Sequence, residues 1–164
     1  MASPDNDGTW TRARVISALA SARAELLEAI AGLTPREAEK ALAPGRWNCR
    51  ETVLHAVARD RARLREMEAA RGGTPASWQG LSKEETARLN AQEVGALRMH
   101  SWDQALAMLD ATRRELQERL ATVPEEPLAV WQPAHPFGWM FDALLRHDRH
   151  HADIMRRWRA ANRI

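Results

Sequence analysis

His147 and His151 stand four residues apart at the head of the segment HDRHHADIMRRW, which ends at Trp158. On a helix, that spacing puts two side chains one turn apart on one face, ~5–6 Å between Cβ atoms, close enough for two imidazoles to bind one divalent ion. Apolar residues at 144, 154 and 158 lie on the same stripe, so the pair points to a buried side. His150 falls on the flank. Asp148 is a candidate acceptor for His147, but adjacent helical residues diverge by ~100°, and a solvated pair with Arg146 or Arg149 is expected. The arginines of RRWR sit where a helix C-terminus favours cations. The histidine pair alone also fits two core histidines hydrogen-bonded to their neighbours. A catalytic zinc-like site needs a third protein ligand and an open position.

His55 is the best third candidate, in a stretch from Thr52 to Ala58 where every other residue is apolar or small. At ~1.5 Å per residue it sits about 10 Å from the start of its helix, and His147 about 16 Å from the start of its own. In an up-down-up-down bundle those two helices run parallel and the heights agree to about one turn. The helical wheel turns His55 away from the stripe of Val53, Val57 and Leu64, so it faces the interior only if its helix is buried on two sides. His100 and His135 fall at helix ends and rank lower.

These residues need elements to position them. The first helix spans about Thr9 to Ala31, with Val15, Leu19, Ala22, Leu26 and Ile30 at helical spacing. A connection of roughly 15 residues follows. Asn48 with Glu51 forms a capping box that opens the second long helix, which continues to about Ala70. Ser82 with Glu85 opens a shorter helix to about Met99, and Ser101 with Gln104 opens another to about Thr122. Four prolines between Pro124 and Pro136 exclude a continuous helix there, and the last helix runs from about Pro136 to Ala161. The expected fold is all-α, one domain over residues 1–164: an antiparallel four-helix bundle with an additional short helix before the third.

Composition narrows the function. The formal net charge is +2, which gives no support to a nucleic-acid partner. The single cysteine, Cys49, excludes an intramolecular disulfide, and in the first turn of a helix it reads as a small buried thiol. No signal pattern and no membrane-length apolar run are present, so a cytoplasmic protein with no membrane partner is expected.

Together, WNCRETVLHAV (Trp47, Glu51 and His55 as W-x3-E-x3-H), HDRHHADI and LNAQEV resemble the DinB-like superfamily, the YfiT/DinB metal-binding four-helix bundles. The resemblance covers nearly the whole chain. It implies that His55, His147 and His151 hold a divalent ion, nickel or zinc. It also implies a small-molecule substrate, with a low-molecular-weight thiol as one option and a homodimer as an open one. The superfamily includes thiol-dependent S-transferases and isomerases as well as stress-related and self-resistance proteins, so an enzyme acting on small electrophiles and a non-catalytic binding protein both follow from it. Glu51 serves the cap or assists proton transfer. With the second and fourth long helices parallel, their N-termini share one end, and a pocket mouth suited to a carboxylate is expected there among Arg46, Trp47, Trp131, His135 and Trp139.

Overall fold

A computed structural model describes residues 9–164. Among these, the chain forms six α-helices and one 3-10 turn: α1 (Arg12–Ile30), α2 (Pro35–Ala38), α3 (Cys49–Arg71), α4 (Lys83–Leu97), α5 (Trp102–Thr122), the turn Leu128–Trp131, and α6 (Pro136–Asn162). The three capping boxes read from the sequence are all formed, with Asn48, Ser82 and Ser101 as caps. A fourth, Thr34 with Glu37, opens α2 inside what the sequence reads as a plain connection.

The long helices α1, α3, α5 and α6 make a four-helix bundle, with α1 beside α5 and α6, and α3 beside the same two. Their directions differ from the up-down-up-down expectation. Cys49 at the start of α3 meets Met155 near the end of α6, and Arg63 Nε donates to the Met140 carbonyl at 3.0 Å, so α3 and α6 are antiparallel. The α1 helix runs parallel to α6: Trp10 pairs with Gln132 at one end, and Arg159 reaches the Ala29 carbonyl at the other. Similarly, α5 runs parallel to α3, since Arg50 donates to the His100 carbonyl at 3.0 Å and Asp60 receives Arg113.

The cause is α4. Ser77 bonds Glu66 and, further along, Arg98 meets Glu51, so α4 returns along α3 in the opposite direction and brings the chain back to the end where α3 began. An extra traverse changes the parity of everything after it. His55 and His147 still meet, but with the opposite geometry: the triad joins the second turn of α3 to the middle of α6.

The core forms two apolar clusters. One gathers Leu26, Val53, Val57, Trp102, Leu109 and Met155; the other gathers Leu19, Leu116, Trp131, Phe137, Phe141 and Leu144. In the second, α6 begins so close to the preceding turn that a Cβ on Gly138 would lie 2.1 Å from the Gln132 carbonyl oxygen, which requires glycine there. Between the clusters lie four charged residues, one from each long helix: Arg23, Asp60, Arg113 and Asp148, none more than 4% exposed. Arg23 donates to Asp148 at 3.0 Å and to Asp60 at 3.1 Å; Arg113 donates to both at 2.9 Å. The two guanidiniums also donate to the carbonyls of Leu109 and Leu19. The set sums to zero charge, the condition under which buried charges are tolerated.

Candidate metal centre

The structure brings His55, His147 and His151 together and leaves His100 and His135 at helix ends, where the His135 ring caps α6. Helix α3 is buried almost all round over Cys49–Arg63, packed by α4 as well as by α5 and α6, which is why His55 faces inward despite its place on the wheel. His55 is 4% exposed. His147 Nε2 lies 2.7 Å from His55 Nε2 and 3.1 Å from His151 Nε2. The Trp47 ring stands 5.0 Å from that of His55 and forms a wall of the site.

Three imidazole nitrogens aimed at one point do not satisfy one another. Each neutral Nε2 carries either one proton or one lone pair, so His147 Nε2 completes a bond with only one of its two neighbours. An ion with Zn–N bonds of ~2.0–2.1 Å separates its nitrogen ligands by about 3 Å and receives all three lone pairs at once. The titration state fits that role. Burial lowers the pKa of His55 well below its ordinary value, and the neighbouring His147 and His151 add to the shift. Burial also lowers His147, and it takes His151 down to about 3 with help from His147 and His150. All three rings are neutral at pH 7, as metal ligands must be.

Asp148 corrects the sequence reading. It is fully buried rather than flanking and solvated, and it pairs with Arg23 and Arg113 rather than with Arg146 or Arg149. Burial raises its pKa, but Arg23 and Arg113 outweigh this and hold the carboxyl below its usual range. With Oδ2 held by the arginines, Oδ1 stands 3.6 Å from His147 Nδ1. That is too long for a hydrogen bond, but it is close enough to favour the tautomer with the proton on Nδ1 and the lone pair on Nε2. His55 Nδ1 and His151 Nδ1 have no hydrogen-bond partner among the described residues.

Glu51 takes the capping role read for it, and one other expectation changes. Glu51 Oε2 accepts from the Asn48 backbone N–H at 3.1 Å and Oε1 meets Arg98 at 3.4 Å, so both oxygens are engaged in the cap and its neighbour. The expected mouth does not assemble. Trp47 is at the triad, while Trp131 packs on Phe137 in the other apolar cluster, because antiparallel α3 and α6 place their N-termini at opposite ends. Cys49 is buried as expected, and burial pushes its thiol up to about 12.

The DinB superfamily matches residues 18–155, and the chain belongs to it. No curated protein matches. Among solved structures, an uncharacterised protein of Escherichia coli UTI89 shares 14% identity at a TM-score of 0.76, over 94% of this chain and 96% of its own. The colibactin self-resistance protein ClbS, solved with double-stranded DNA, shares 14% at 0.75, over 91% of this chain and 95% of its own. YfiT from Bacillus subtilis, described as a probable metal-dependent hydrolase with an unusual four-helix bundle topology, shares 14% at 0.66, over 99% of this chain and 91% of its own. These likenesses establish the fold. No helix among the described residues is long and apolar enough to cross a membrane.

Proposed function

We propose that the chain is a divalent-metal-dependent enzyme in which His55, His147 and His151 hold nickel or zinc, and that it transfers a low-molecular-weight thiol to a small electrophile or hydrolyses such a substrate. One observation carries the reading: three neutral imidazoles, one buried and two half-buried, direct Nε2 atoms at a single point where mutual hydrogen bonding leaves at least one unsatisfied. A divalent ion there would let a water or thiol give up its proton near neutral pH. In the transfer, the thiolate sulfur forms the new bond to the electrophilic carbon as the bond from that carbon to its leaving group breaks; the leaving group takes that electron pair and is protonated by the proton the thiol released. The residues of the chain contribute the rest. The triad offers three neutral ligands, so the charge of the ion is left to act on the fourth ligand. Asp148 fixes the His147 tautomer, and Trp47 shields His55 from water.

Metal analysis of protein purified without a histidine tag is the test. Wild type is expected to hold about one ion per chain and His147→Ala much less; equal, negligible contents in both defeat the proposal. Turnover of thiol and electrophile pairs, abolished by a chelator, tests the enzyme reading.

A second reading, a self-resistance or stress-related protein that holds a ligand without turnover, draws support from the likeness of fold to ClbS. It predicts saturable ligand binding with no chelator-sensitive turnover. Because ClbS was solved with duplex DNA, the expectation of no nucleic-acid partner here rests on the formal charge of +2. A mobility shift with duplex DNA at low salt decides it.

A further inference from the structure

Arg59 follows His55 by four residues and Arg63 follows Arg59 by four more, so the three side chains form one stripe on α3, neighbours ~5–6 Å apart at Cβ. Both arginines are buried, at 6% and 2% exposure, and both lie over the Trp78 ring, at 5.5 and 5.3 Å from its centroid. Their commitments differ. Arg63 donates through Nε to the Met140 carbonyl at 3.0 Å and through Nη1 to the Arg59 carbonyl at 2.9 Å. Arg59 forms an ion pair with Glu93 of α4, while among the described residues its Nε has no hydrogen-bond partner; nor does Nε1 of Trp78. Buried donors left without acceptors are rare in folded proteins and call for a specific explanation.

The charge around this point is also incomplete. Arg59 and Arg63 are both cations near enough to depress His55 and His147. Burial lowers their own pKa values to about 10 and about 9, which leaves them charged at neutral pH. Among the described residues Arg63 is hydrogen-bonded only to carbonyls, and an ion at the triad would add two more positive charges. Glu93 is the carboxylate that answers Arg59, and it comes from α4, whose first two turns are exposed on nearly every side and which packs chiefly on α3. A planar carboxylate matches the guanidinium fork, and the Trp78 ring gives such a ligand an apolar wall.

We propose that Arg59 is the anion-recognition residue of this centre: a carboxylate of a small substrate takes the guanidinium of Arg59 in exchange for Glu93, while the remainder of the molecule reaches the three histidines. The proposal rests on the metal reading for the second half of that statement and on Arg59 alone for the first. The roles assign opposite signs to the two partners. Arg59 attracts the ligand; Glu93 competes with it.

The test is calorimetric titration of succinate into nickel-loaded and metal-free protein, for wild type, Arg59→Gln and Glu93→Gln. Wild type is expected to bind in both metal states. Arg59→Gln is expected to weaken binding at least tenfold with nickel stoichiometry unchanged, and Glu93→Gln to tighten it several-fold. No binding to wild type in either state, equal binding in Arg59→Gln, or weakening in Glu93→Gln overturns the proposal. If the chain takes up no nickel, the metal reading fails and the metal-free titrations still decide the role of Arg59. Should Arg59→Gln not fold, as judged by circular dichroism, Glu93→Gln decides: tighter binding supports, unchanged binding overturns.

Discussion

The two polar clusters of the bundle interior differ in how completely they are satisfied. In the Arg23, Asp60, Arg113 and Asp148 layer, opposite charges face one another and nearly every polar atom has a partner; the exception among the carboxylate oxygens, Asp148 Oδ1, is the one that faces His147. In the His55, His147 and His151 layer, like groups face one another, and every Nδ1 lacks a hydrogen bond among the described residues. A completed network holds a fold together; an incomplete one has a place for something else. The layers meet at Asp148, which closes the first and orients a member of the second.

The difference is open to measurement. Arg113→Met leaves two buried carboxylates short of a partner and is expected to cost about 3–5 kcal/mol in urea denaturation. His147→Ala in the metal-free protein is expected to cost far less than Arg113→Met, because its Nε2 completes no network. Equal losses would erase the distinction between the layers. Nickel at one hundred times its dissociation constant is expected to stabilise wild type by about 2.7 kcal/mol, read as a rise in Tm, and to leave His147→Ala unmoved.

Asp148→Asn tests the junction. It keeps the shape of the side chain but removes the charge, and it is expected to weaken metal binding about 10–100-fold in protein that is still folded. Unchanged affinity would confine Asp148 to the charged layer.

A further difference is in pH. In the metal-free protein the folded pKa of His151 is lowered to about 3, so below its unfolded value of about 6.5 the unfolded chain takes a proton that the folded chain refuses. Stability is therefore fully present above pH 6.5 and lost as pH falls towards 3, by about 1.4 kcal/mol per pH unit from His151 alone. His151→Gln is expected to flatten that slope, and an unchanged slope would mean that the ring is solvated in the folded state.

Much of this was legible in the chain because it is local. A cap such as Asn48 with Glu51 is decided within four residues, and three of the four capping boxes are legible in the sequence; Thr34 with Glu37 is not, because its helix is only Pro35–Ala38. The stripe of His147 and His151 follows from helical spacing alone. The charged layer also left a trace: Arg23 lies within the stripe of Leu19 and Leu26, Arg113 between Leu109 and Leu116, and Asp148 on the stripe of Phe141, Leu145, Ala152 and Met155. Each breaks an apolar face once, at a matching height. Read singly, a charged residue on a helix is assigned to solvent; only the set of four balances.

The sequence by itself determined the long helices, their caps, their apolar stripes and the pairing of His147 with His151, since each depends on residues a turn or two apart. Tertiary structure alone decided which way each helix runs, because the return of α4 reverses everything after it at no local cost. It decided the inward turn of His55, which needs neighbours of α3 on several sides, and the burial of Asp148, which needs two arginines from other helices. Those outcomes are set by contacts between residues 35 to 125 positions apart, and no local pattern carries that information.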